Sequence, residues 1–73
     1  MNDEKEIIRN FCELNNKEKR VEIGSVILII EMKEENNYSG KYGKVLHIDD
    51  MGQIHGTWGG CALIPGVDIY LII

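Results

Sequence analysis

Proline occurs once in this chain, at Pro65, and cysteine only twice, at Cys12 and Cys61. With 44% hydrophobic residues, a single proline leaves no basis for a proline-rich disordered tract and points to a folded globular domain. Two distant cysteines are too few for a disulfide scaffold at this length, so free thiols in a reducing cytoplasm are expected. Basic residues are also scarce, 8 against 12 acidic, for a net charge of −4. Phosphate contacts supply most nucleic-acid affinity, so this balance disfavours a nucleic-acid module. No apolar run is long enough to span a bilayer: the longest, residues 26–30, is far too short. Met1 is followed by charged residues rather than an apolar stretch, so no leader peptide is expected.

The 73 residues suffice for one domain. A chain of this size hides only about 60% of its unfolded surface, so an enclosed substrate pocket would remove much of its core. Residues 1–20 read as a helix and linker, and residues 21–73 as a β domain. Asp3 is placed to cap a helix over residues 3–15, with Glu6 three positions later. Ile7, Phe11 and Leu14, with Ile8 and Cys12 beside them, form one apolar stripe at helical spacing. That stripe is expected to pack on the domain, covering one side of the strand at residues 26–30, or on a partner. Lys17-Glu18-Lys19-Arg20 reads as a solvated linker.

Further along, Asp50-Met51-Gly52 fits a three-residue hairpin loop with Gly in the left-handed position. That register sets Ile48 opposite Ile54 and His47 opposite His55. Strict alternation then aims Leu46, Ile48, Ile54 and Trp58 at the core, with Val45, His47, His55 and Thr57 on the other face. Gly59-Gly60 is the expected reversal, followed by strands at residues 61–64 and 69–73 around a Pro65-Gly66-Val67-Asp68 turn. The fold class expected is mainly β: a small five-stranded SH3-like barrel preceded by one N-terminal α-helix.

Gly24-x-Val26, the Gly40-x-x-Gly43-x-Val45 step, Asp49-Asp50-Met51-Gly52-Gln53-Ile54-His55, Trp58 and Leu63-Ile64-Pro65-Gly66-Val67-Asp68 together resemble the domain of unknown function 4314 family. The resemblance covers residues 22–73 and leaves the helix outside. It implies a small bacterial SH3-like module and supplies no catalytic residues. Family members commonly carry a longer Trp-Asp-Asn-Gly turn where this chain has Trp58-Gly59-Gly60.

Candidate sites are few. His47 and His55, cross-strand neighbours, form a weak metal-site candidate with Cys61 or an Asp as third ligand, lacking any Cys-x-x-Cys or His-x-x-x-His support. Asp49 and Asp50 suit a turn better than acid–base chemistry. Cys61 with His55 as base lacks an orienting third residue, so a buried, inert thiol is the simpler reading. Tyr38 and Tyr42 bracket the long first loop, where SH3-like barrels line peptide grooves with aromatic residues. Lys41 and Lys44 stand beside them. No cofactor is expected.

The function expected is a non-catalytic binding or adaptor module. It contacts another protein through the loop of Tyr38 and Tyr42 or through the helix face. A nucleic-acid-binding barrel using Lys41 and Lys44 is the alternative, and a metal- or thiol-dependent enzyme the third. The apolar strands at residues 26–30 and 69–73 also raise self-association, since an exposed strand edge pairs readily with a second copy.

Overall fold

In the computed structural model, which describes residues 3–73, one helix precedes a five-stranded antiparallel sheet. Met1 and Asn2, on which the leader reading rested, lie outside the described residues. The elements are α1 (Glu4–Lys17), β1 (Val26–Glu31), a 3-10 turn (Asn36–Tyr38), β2 (Tyr42–Ile48), β3 (Ile54–Gly56), β4 (Gly59–Leu63) and β5 (Ile69–Ile72). The strand order is β4-β3-β2-β1-β5. The sheet is not closed into the barrel expected from the sequence, because β4 and β5 are its two ends. Among the described residues no helix is long and apolar enough to cross a membrane.

Ile27 and Ile29 of β1 alternate inward and are fully buried. They join Met32, Val45, Ile54, Trp58, Leu63 and Ile72 in one core, with Val21, Tyr38, Cys61 and Tyr70 packed around it. The hairpin between β2 and β3 forms as its residues dictate. Gly52 adopts a φ of +83°, which other residues reach only with strain, and its N–H donates to the Asp49 carbonyl at 2.9 Å. Asp49 Oδ1 accepts from Met51 N at 3.0 Å and Gln53 N at 2.9 Å, closing the turn from its own side chain.

The register is as expected, Ile48 opposite Ile54 and His47 opposite His55, but the faces are not. From His47↔His55 to Val45↔Gly56, β2 advances two residues while β3 advances one. Leu46 is therefore the extra residue of a β-bulge, which resets the alternation. Val45 takes the core position, whereas Leu46 is 58% exposed and Ile48 also faces solvent.

The next reversal also differs from expectation. Gly56 pairs with Gly59, so Thr57 and Trp58 form the turn and Gly59-Gly60 opens β4. Trp58 is still buried as expected: its ring lies where a Cβ on Gly56 would sit, and Nε1 donates to the Cys61 carbonyl at 2.8 Å. A glycine at 56 thus lets a turn residue fold back into the core.

Asp68 ties the two ends of the sheet together. Its buried carboxylate accepts from Lys33 N at 2.9 Å and Ile64 N at 2.8 Å. Charge-assisted bonds of this kind are what make a buried carboxylate tolerable.

Candidate functional site

Asp3 caps α1 as its sequence predicts, accepting from Lys5 N and Glu6 N, and the helix runs on to Lys17. How it docks is unexpected. α1 lies against β5, and its sheet-facing side is mostly polar. Asn16 Oδ1 accepts from Ile72 N at 2.9 Å, and Asn16 Nδ2 donates to the Tyr70 carbonyl at 3.0 Å. Asn15 Nδ2 donates to the Ile72 carbonyl at 3.2 Å, and Arg9 Nη2 to the Val67 carbonyl at 3.3 Å. Lys5 Nζ reaches Glu31 at 3.2 Å. Cys12 is the one buried residue of the helix.

The apolar stripe faces the other way. Ile7, Phe11 and Leu14 are 57%, 63% and 68% exposed, and Ile8 is also exposed. With 3.6 residues per turn, Ile7, Phe11 and Leu14 lie within about 60° of one another, whereas Cys12 and Asn16 project to the opposite side. The expectation that this stripe covers β1 is therefore corrected. The physical reason is that β5, at the end of the sheet, leaves main-chain groups unpaired, and amide side chains satisfy them as apolar ones cannot. An exposed row of large apolar side chains on an ordered helix is the most distinctive surface of this molecule.

A cavity of about 250 Å³ lies where α1 meets β5, among Arg9, Cys12, Glu13, Asn16, Asp68 and Tyr70. Burial, helped by the charge of Glu13, raises the Cys12 pKa and holds its thiol neutral. Burial, then the charges of Asp68 and Glu13, likewise raise the Tyr70 pKa. Both shifts work against nucleophilic use of these groups.

Tyr38, Lys41, Tyr42 and Lys44 are not alike in their surroundings. Tyr38 is half-buried, packs over Gly59, and holds the Lys41 ammonium 5.0 Å from its ring centroid. Tyr42 is 71% exposed at the start of β2. Lys44 is exposed, with its main-chain N–H donating to Thr57 Oγ1 at 3.0 Å.

His47 and His55 do come together, with ring centroids 5.5 Å apart and planes tilted by 43°. His55 Nε2 is engaged by Asp49 Oδ2 at 2.9 Å, a contact the sequence reading missed because it assigned Asp49 to the turn alone. This hydrogen bond, then the main-chain donors at Gln53 and Met51, lower the Asp49 pKa. Among the described residues no group of three His, Cys, Asp or Glu side chains is arranged to hold a metal ion. Cys61 is half-buried on β4 and unpaired.

The molecule is thus a small antiparallel β module carrying a helix on one sheet edge, with an exposed apolar helix face. Residues 12–73 match the family described as "Domain of unknown function (DUF4314)", and the chain belongs to it. The match starts at Cys12 rather than at Glu22, so it takes in the second half of α1. No curated protein and no solved structure matches the chain.

Proposed function

We propose that this protein is a non-catalytic protein-binding module and that the outward face of α1 is its contact surface. One observation carries the reading: Ile7, Phe11 and Leu14 form a single exposed row on a helix whose opposite side already serves docking. Amphipathic helices bind proteins through such rows at positions i, i+4 and i+7. The loop of Tyr38 and Tyr42 is the weaker surface, since Tyr38 is occupied by Lys41 and Gly59. The net charge of −4 argues against phosphate binding by Lys41 and Lys44.

The strand order β4-β3-β2-β1-β5 and the turn before the last strand support an SH3-like relation for the open sheet. Two unpaired thiols, Cys12 and Cys61, favour a cytoplasmic setting.

Photo-crosslinking tests the surface. A benzophenone side chain at position 11 is expected to form protein adducts, and one at position 42 few or none. Adducts at position 42 with none at position 11 would overturn this reading.

A further inference from the structure

Three features of the exposed face bear on what it contacts. The first is its symmetry. Phe11 lies four residues from Ile7 and three from Leu14, so the row is nearly unchanged when the helix is turned end for end about Phe11. A two-fold axis through Phe11 then brings Ile7 of one helix against Leu14 of another, the isologous contact that closed dimers use.

The second is charge. α1 begins with Asp3, Glu4 and Glu6 around a single Lys5, and Lys5 is engaged by Glu31. It ends at Lys17 and runs into Glu18-Lys19-Arg20, so that three of these four residues are basic. Two such helices laid antiparallel place an acidic start over a basic end twice. Laid parallel, they place like on like. The helix dipoles favour the same antiparallel choice.

The third is the flank. At 3.6 residues per turn, Glu6 and Lys17 both project about 90° to the same side of the apolar row. In an antiparallel pair, residues on the same flank face each other, so Glu6 of one copy meets Lys17 of the other. The docking side, with Arg9, Cys12 and Asn16, stays on β5 and takes no part.

We propose that a second copy of this chain occupies the outer face of α1. The two helices run antiparallel, Phe11 stacks on Phe11, and each Ile7 packs against the Leu14 of the second copy. This rests on the reading of that face as a protein-contact surface and names the partner. An interface built on one helix row is small, so the dimer is in concentration-dependent exchange with monomer rather than obligate.

Sedimentation equilibrium on the full chain, from about 1 µM to 1 mM, tests this. The wild type is expected to pass from one to two chain masses across that range. Phe11→Glu is expected to raise the dissociation constant at least about tenfold, with the far-ultraviolet circular dichroism unchanged. Phe11→Gln provides the same test without an added charge, should Phe11→Glu disturb folding. Glu6→Lys weakens the dimer, and Glu6→Lys combined with Lys17→Glu restores it, a rescue that only the antiparallel arrangement gives.

A dimer untouched by Phe11→Glu and Phe11→Gln overturns the face, and a double variant that fails to recover overturns the orientation. A wild type that stays monomeric throughout overturns the second copy as partner. In that case adducts of position 11 with other proteins would still uphold the contact surface, whereas no adducts at all would remove both.

Discussion

Under the sheet, Ile27, Ile29, Val45, Ile54 and Leu63 are at most 1% exposed and belong to one apolar cluster. At the junction of α1 with β5, amide and guanidinium groups instead bond individual main-chain atoms, and a single thiol is buried. The first region is held by area removed from water, a term that has no direction and scales with the apolar surface buried. The second is held by direction: each bond fixes a specific atom of α1 on a specific atom of β5. The contrast shows why the apolar row of α1 is free to point outward. Its docking does not require it.

Substitutions can break or sharpen this contrast. Ile29→Ala opens a cavity in the apolar region and should cost about 2–5 kcal/mol in denaturant unfolding. That is much of the stability of a domain with roughly 0.05–0.15 kcal/mol per residue. Asp68→Ala strips Lys33 N and Ile64 N of their acceptor and should cost about 2–4 kcal/mol by the same measurement. Asn16→Ala should cost about 1–3 kcal/mol and speed hydrogen exchange at the Ile72 amide, leaving Ile54 and Leu63 protected. Loss of protection throughout the sheet would show that the junction is part of the core after all.

Acidification probes the hairpin separately. The Asp49 pKa is lowered in the folded state, so its contribution is present above the ordinary carboxylate range, around pH 4, and is lost as pH falls through the folded value. Asp49→Asn should flatten that acid limb in pH-dependent thermal melts; an unchanged limb would place the effect elsewhere. The smallest effect is expected at Phe11. Phe11→Ala should change unfolding stability by no more than about 0.5 kcal/mol, because the side chain stands in solvent. A larger loss in dilute monomer would mean that the outer face packs within one chain.

Much of the fold was legible because it rests on local chemistry. The Asp3 cap, the Gly52 turn and the register of Ile48 on Ile54 each follow from a residue type at a fixed offset. What misled was long-range. The bulge at Leu46 leaves no mark in an alternating run, yet it exchanges Val45 for Leu46 in the core. The helix stripe was visible, but periodicity reports which residues share a face and not which way the face points. The signal that could have oriented it lay in Asn15 and Asn16, two amides at the end of a helix near a terminal strand with free main-chain groups. The contact of Asp49 with His55 was likewise readable from the turn register, which brings both to one end of the hairpin.

Cys12 turns the docking of α1 into something that can be timed. Cys12 is buried where α1 meets β5, so each lifting of the helix should speed its modification by a thiol reagent. Cys61, half-buried on the far strand, reacts in the same tube as an internal clock for the sheet. The ratio of the two labelling rates reads how often the helix lets go while the sheet stays folded.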